Sequence, residues 1–322
     1  MLVIGNRYEL DPESCREGGM GEVWTGYDKR LDRSVAVKII RVDRLSEGQP
    51  KRELIRRFVR EARAAARLEH PGVPAVYDCG TWGEDLYMVL QLVNGRSLDE
   101  IMHAAGAVPA PWAVAIAAQV CSVLAVAHDH QLVHRDITPA NLMLCRDGSV
   151  KVLDFGVAAL LTPSATQLTE TGIVLGTPRY MAPEQARSGT TSPQSDLYSL
   201  GVVLREMLTG PVGAAGPTEP ATHDDSLLAG SVQGLLTTLL TALLATSPAE
   251  RPPSATAVHE ILAGLCGDLP PFPGYVDTGS PHPLRMYADA LGRLRQPSCA
   301  VDVAKPPLSS RSGASGLPEK NR

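Results

Sequence analysis

Apolar side chains early in the chain fall in short, β-branched blocks separated by turn residues. The clearest block is Ser34-Val35-Ala36-Val37-Lys38-Ile39-Ile40, which moves from alternation to a continuous apolar run, with a glycine turn at Gly18–Gly21 upstream. Blocks of this kind joined by tight turns predict antiparallel strands. From Lys51 to Leu68 the period changes, because Leu54, Ile55, Phe58, Ala62, Ala65 and Ala66 recur at helical spacing. That stretch predicts an amphipathic helix with Glu61 in its middle turns. Leu86–Val93 returns to the pattern of a buried strand and ends at the turn signal Asn94-Gly95, the expected connection between two lobes.

Further on, the pattern is helical. Trp112–His130 is dominated by alanine, valine and other apolar residues without Gly or Pro, and Leu235–Ala245 resumes a helix after a loop-like stretch from Gly210 to Asp225. Prolines then cluster at Pro270, Pro271, Pro273, Pro281 and Pro283, and Lys305–Arg322 holds Ser, Pro, Gly and charge with little to bury. This tail is expected to be disordered. No internal repeat is visible.

Composition narrows the classes. An apolar fraction of 44% with both charge signs interspersed is globular, and a net charge of -5 gives no general attraction to nucleic acid or anionic lipid. One local exception is the cluster Lys51, Arg52, Arg56, Arg57, Arg60, Arg63 and Arg67, interrupted by Glu53, Glu61 and Glu69. It reads as a solvated helix face, with an acidic partner surface as the alternative. Six cysteines are scattered without a CxxC pair, which fits a reducing compartment and does not suggest zinc. Met1–Arg7 lacks the layout of a secretory signal, and the richest apolar stretch is taken as Leu235–Ala245, too short to span a bilayer. A soluble cytoplasmic protein with no membrane span is expected.

Candidate chemistry begins at Glu17-Gly18-Gly19-Met20-Gly21-Glu22-Val23. Glycines between two strands let backbone amides approach phosphate oxygens where a Cβ would collide, although an ordinary hairpin has the same signature. Lys38 ends a strand of otherwise buried residues, so its ammonium needs a carboxylate and phosphates, unless it snorkels at a sheet edge. Glu61 is the candidate partner. The most specific signal is an ordered series: His134-Arg135-Asp136-Ile137-Thr138-Pro139-Ala140-Asn141, then Asp154-Phe155-Gly156, then Ala182-Pro183-Glu184.

These motifs, with the glycine turn and Val35-Ala36-Val37-Lys38 upstream, resemble the signature series of protein kinases over about residues 8 to 265. Gly18–Val23 and Gly176–Glu184 look most like the bacterial eukaryotic-type (Hanks-type) serine/threonine kinases. The resemblance implies an α+β, two-lobed fold: a small antiparallel N-lobe with one regulatory helix at about 8–91 and a larger, mainly helical C-lobe at about 95–267. It sets a kinase domain at 1–267 and a Pro-rich tail at 268–322. The implied activity is transfer of the ATP γ-phosphate to Ser/Thr of proteins, with autophosphorylation at Thr169 and Thr171, which Arg135 would bind once phosphorylated.

The roles implied for individual residues follow the needs of phosphoryl transfer, which are positioning and charge neutralisation. Lys38 would hold the α- and β-phosphates with Glu61 orienting it. Asp154 and Asn141 would coordinate Mg²⁺, with Mn²⁺ as the alternative metal, and Asp136 would accept or orient the substrate hydroxyl. Cys15, Gly18, Gly19 and Gly21 would border the nucleotide. Val23, Ala36 and Met143 would enclose the adenine ring, core packing being their plain alternative, and backbone groups of Gln91 and Val93 would bond its edge. Asp196 would cap the catalytic loop, and Arg251 would pair with Glu184.

Three departures stand beside the resemblance. Arg16 occupies the position of the first loop glycine, where it either crowds the phosphate turn or points to solvent. Thr138 replaces the lysine expected two residues after the catalytic aspartate. Gly210–Leu235 is short for a substrate-docking helix. Arg16 and Thr138 keep open a second reading, an ATP-binding pseudokinase or weakly active signalling scaffold. A small-molecule kinase fits the Thr169–Glu184 segment poorly.

Overall fold

The computed structural model describes residues 2–18, 21–42, 51–155, 178–210 and 230–277. Its N-terminal part is an antiparallel sheet of β1 (Leu2–Ile4), β2 (Tyr8–Leu10), β3 (Arg16–Gly18), β4 (Gly21–Asp28), β5 (Arg33–Ile40), β6 (Val76–Trp82) and β7 (Asp85–Gln91). The strand order is β1-β2-β4-β5-β7-β6, and β3 pairs with β4. Residues directly opposite in a ladder share a face, so the register sorts the side chains. Val23, Lys38 and Met88 lie in one row, and Trp24, Val37 and Val89 in the row on the other face. The second face is closed by Ile4, Tyr8 and Leu10, whereas Ile40, Leu86 and Met88 pack against Leu54, Phe58 and Ala62 of helix α1 (Lys51–Ala66). Lys38 therefore projects from the α1 side of the sheet and is only 7% exposed.

The larger part contains β8 (Gly95–Ser97), α2 (Leu98–Ala105), α3 (Ala110–Asp129), β9 (Leu142–Cys145), β10 (Val150–Val152), α4 (Pro183–Ser188), α5 (Pro193–Thr209), α6 (Gly230–Leu243) and α7 (Ala255–Leu265). Strands β10, β9 and β8 form a small antiparallel sheet beneath the connection from β7. A capping box starts α2: the Ser97 hydroxyl accepts from the Glu100 N–H at 3.1 Å, and the Glu100 carboxylate accepts from the Ser97 N–H at 3.2 Å.

Helix α3 corrects one expectation. It is longer and more apolar than Leu235–Ala245, and by length and composition alone it could cross a membrane, but 89% of its apolar window is buried inside the fold. Every residue from Trp112 to Ala127 is buried, which makes α3 the axis of the C-lobe core.

Residues just past the expected boundary at 267 pack against the C-lobe. Trp112 Nε1–H donates to the Pro270 carbonyl at 2.8 Å, Phe272 is buried against Trp112, and the Tyr275 ring lies 4.7 Å from that of Phe272. The Asp277 N–H donates to the Arg146 carbonyl at 2.7 Å. The aromatic residues among these prolines find apolar surface on the C-lobe, which a pattern without periodicity does not announce. The remainder of the predicted tail lies outside the described residues.

His70, buried between the end of α1 and β6, ties the lobes together. Its Nδ1 accepts from the Gly72 N–H at 2.9 Å, leaving Nε2–H to meet Ser122 Oγ on α3 at 3.0 Å. Burial, reinforced by the positive charge of Lys151 and by His259, lowers its pKa from 6.5 to about 4. Between those values the unfolded chain binds a proton that the folded chain excludes, so stability is full above pH 6.5 and falls as pH drops toward 4. The loss is expected to reach about 3 kcal/mol. Denaturant midpoints at pH 7 and pH 4.5 should show it, and a His70→Gln variant should lose less between the two. An equal loss in both proteins would remove His70 as the cause.

Candidate active site

Four segments converge where the sheet meets the C-lobe: the β3–β4 hairpin, the middle of β5, the loop 134–141 and the residues after β10. The loop is built on Asp196, the buried residue near the start of α5. Its Oδ1 accepts from the Arg135 N–H at 2.8 Å, and its Oδ2 accepts from the His134 N–H at 2.9 Å and meets His128 Nε2 at 2.8 Å. Held this way, Arg135 adopts φ 74°, a left-handed conformation that a non-glycine residue keeps only when its surroundings enforce it. The cap by Asp196 is the one read from the sequence. His128, on the last turn of α3, was not anticipated, and no local motif marks it.

His134 joins this loop to the next. Its Nδ1 accepts from the Asp136 N–H at 3.3 Å, so Nε2–H is the donor to the Leu153 carbonyl at 2.7 Å, and its ring meets the buried Phe155 ring edge-on at 4.6 Å. Asn141 then fixes the carboxylate of Asp136: its Nδ2 donates to both the backbone oxygen and Oδ2 of Asp136, each at 2.9 Å. With both amide hydrogens committed, the Asn141 Oδ1 is the group left to bind a cation. Asp154 also sits at a left-handed φ of 65°, and its Oδ2 lies 2.7 Å from Lys38 Nζ.

That ion pair corrects the expected partnership of Lys38 with Glu61. The Glu61 carboxylate, whose side chain is 12% exposed, instead accepts from the neighbouring Arg60 at 3.1 Å and 3.3 Å. Lys38 has found its carboxylate on the loop after β10, while Glu61 bends along its own helix. The structure thus brings Lys38, Asp136, Asn141 and Asp154 into one site and leaves Glu61 beside it.

The remaining candidates distribute along the cleft. Val23 and Ala36 share the Lys38 face of the sheet, with Val23 39% exposed, and Met143 is half-buried on β9. Apolar groups left open to the cleft are suited to an aromatic ring. Gln91 closes β7, and its N–H is taken by the Ala75 carbonyl at 2.8 Å. Val93 follows in the connection to β8, and half-buried Cys15 precedes β3. Gly18 pairs with Gly21 across the hairpin. At Gly21 a Cβ would fall on the Ile39 carbonyl oxygen, so close pairing of β4 with β5 already demands glycine there. Gly19, Gly156, Thr169, Thr171 and Gly176 lie outside the described residues, as does most of Gly210–Leu235.

Arg16 does not crowd the turn. Its guanidinium reaches Glu100 on α2 at 3.0 Å with the side chain 79% exposed. Thr138 is buried at the start of the turn 139–141, where its carbonyl accepts from the Asn141 N–H at 3.0 Å and its side chain caps nothing. Behind the site, Arg251 grips Glu184 with two parallel bonds of 2.7 Å and 2.8 Å, and Ser195 Oγ donates to the same carboxylate at 2.8 Å.

An ammonium on a sheet paired with one carboxylate, with a second carboxylate held by an amide, suits a phosphate chain and a hard divalent cation. Comparison with known proteins agrees. Residues 14–261 match the protein kinase domain family. The chain is 44% identical over 211 residues to the serine/threonine-protein kinase PknB of Mycolicibacterium smegmatis, covering 64% of this chain and 33% of that protein. It is 44% identical over 207 residues to PrkC of Bacillus subtilis, covering 64% and 31%. With PknB of Mycobacterium tuberculosis H37Rv it shares 36% over 312 residues, covering 91% and 48%. The chain thus spans 31% to 48% of the length of these curated relatives.

Proposed function

Because this chain belongs to the protein kinase family, we propose that it is a Mg²⁺- and ATP-dependent serine/threonine kinase that phosphorylates proteins, its own Thr169 and Thr171 included. The observation carrying this reading is the Asn141 amide that fixes the Asp136 carboxylate beside the Lys38–Asp154 pair. Asp136 Oδ2 is engaged by Asn141, which leaves Oδ1 to orient a substrate hydroxyl and take its proton. Lys38 would hold the α- and β-phosphates, while Asn141 Oδ1 and Asp154 would hold Mg²⁺ or Mn²⁺, which when bound would supply neutralisation of the charge on the transferring phosphoryl group. Val23, Ala36 and Met143 sandwich the adenine, and the Gln91 carbonyl, whose N–H is already committed, faces its edge with the Val93 backbone.

Arg135 supports the autophosphorylation part. Its Nε is buried and has no hydrogen-bond partner among the described residues. A phosphorylated threonine would satisfy that donor and tie the segment to the catalytic loop. A cytoplasmic setting is supported by the described cysteines, Cys15, Cys79, Cys121, Cys145 and Cys266, all being free thiols.

A second reading, a slow enzyme that acts mainly as an ATP-binding scaffold, is favoured by Thr138 and by the engagement of Glu61 with Arg60. Purified protein incubated with γ-labelled ATP, Mg²⁺ and a generic basic protein separates the two. Label on either protein supports the enzyme; ATP binding without label overturns it. A Thr138→Lys exchange is then expected to raise kcat about ten- to a hundredfold if the missing cation limits turnover. An unchanged kcat would move the limit elsewhere.

A further inference from the structure

Glu22 follows Gly21 at the start of β4, on the sheet face opposite Lys38, and is only 8% exposed. A carboxylate so placed is costly unless it is paired. Arg41, one residue beyond β5, pairs it: its Nε and Nη2 donate to Glu22 Oε1 at 3.1 Å and 2.7 Å, while the Trp24 Nε1–H donates to Oε2 at 3.1 Å. The same guanidinium reaches a third strand. Its Nη1 donates to Oδ2 of Asp85, the first residue of β7, at 2.5 Å, and Asp85 Oδ1 accepts from the Val42 N–H at 3.2 Å. One half-buried cation thus ties the first residues of β4 to the end of β5 and the start of β7. The ladder already pairs Glu22 with Ile39, so the bridge adds rigidity at the base of the β3–β4 hairpin.

We propose that Arg41 is a positioning residue for nucleotide binding, holding the β3–β4 hairpin in the pose in which its backbone amides meet the phosphates of ATP. The proposal rests on the kinase reading of the cleft. Gly18 and Gly21, paired across the hairpin, carry no side chain to fix it from within, and glycine loses more backbone freedom on ordering than any other residue. A hairpin ordered only on binding subtracts that entropy from the affinity, whereas one held beforehand does not. Arg41 grips the strand at the residue next to Gly21, and it does so from the face away from Lys38, so it stiffens the hairpin without occupying the nucleotide's space. Arginine suits the task because its planar fork reaches both carboxylates at once, where the compact ammonium of a lysine would not. On the adenine side, Val23 is kept in place by its ladder to Lys38, which does not depend on the bridge. The effect of Arg41 should therefore fall on the phosphates.

Titration calorimetry of the full chain with ATP, ADP and adenosine in the presence of Mg²⁺ tests this. Arg41→Gln is expected to weaken ATP and ADP roughly five- to tenfold while adenosine stays within about twofold of wild type. Glu22→Gln should act in the same direction, and the double variant should be little worse than Arg41→Gln alone, because both exchanges remove one contact. Arg41→Lys, which keeps the charge and loses the fork, should recover part of the loss. In turnover the change belongs more in the KM for ATP than in kcat. Equal losses for ATP and adenosine would make the bridge a plain stabiliser of the lobe, additive losses in the double variant would uncouple Arg41 from Glu22, and unchanged ATP affinity in a folded Arg41→Gln variant would remove the role; each overturns the proposal. Retained adenosine binding shows that a variant is folded, and if Arg41→Gln does not fold, Glu22→Gln carries the same comparison. Wild type that binds adenosine no less tightly than ATP would overturn the kinase reading along with the role of Arg41, whereas wild type that prefers ATP and an Arg41→Gln variant that does so equally would overturn only the latter.

Discussion

An Asp136→Asn exchange is expected to lower the rate of phosphoryl transfer about 10²- to 10⁴-fold, the usual contribution of a positioned general base, while ATP affinity stays within about twofold of wild type. Asparagine is nearly isosteric, and its side-chain oxygen can still accept the Asn141 amide hydrogen that now bonds Oδ2 at 2.9 Å. The backbone contacts through the Asp136 N–H and carbonyl do not involve the side chain and persist. The exchange therefore removes the proton acceptor and little else. Single-turnover transfer from labelled ATP, measured beside nucleotide binding, separates the two effects. A variant that transfers at the wild-type rate would remove Asp136 as the base, and one that loses ATP binding in parallel would assign it a binding role.

The second large effect is expected at a residue that touches no substrate. Asp196 is buried and accepts from the His134 N–H, the Arg135 N–H and His128 Nε2. Asp196→Ala would strand the buried His134 donor and the part-buried Arg135 donor, each costing about 1–3 kcal/mol, so a loss of about 2–6 kcal/mol in stability is expected. Asp196→Asn should fall between, since one amide oxygen cannot serve both sides and the NH₂ group would face a donor. Arg135 could no longer be held at φ 74°, and displacement of Asp136 by an ångström is enough to slow transfer on the order of a hundredfold. Urea unfolding gives the stability, and kcat against the KM for ATP gives the positioning. A stable Asp196→Ala variant with normal kcat would refute the role.

Much of the fold was legible before the structure. The β-branched run from Val35 to Ile40 and the 3.6-residue period of helix α1 are local signals, and the chain follows both. The bonds of Asp196 to the catalytic loop and the Arg251–Glu184 pair were readable for another reason: each motif names both ends of its contact. What failed had no period to read. Helix α3 is apolar on every side because it lies at the centre of the C-lobe, and in a sequence such a helix differs from a spanning one only by what surrounds it. Residues 268–277 carry too many prolines for any regular element, yet Phe272 and Tyr275 pack as well as residues of a helix would.

The site divides along the same line. The residue types needed for phosphoryl transfer, and the order in which they arrive, are properties of the sequence, because chemistry selects an ammonium, an amide and two carboxylates wherever they stand along the chain. Which carboxylate an ammonium meets is a matter of a few ångströms, and no local pattern encodes that. Lys38 pairs with Asp154, more than a hundred residues away, while Glu61 stays with the arginine next to it. The packing of α1 on the sheet and the left-handed turn at Asp154 decide that outcome, and both are products of contacts that exist only once the whole chain has folded.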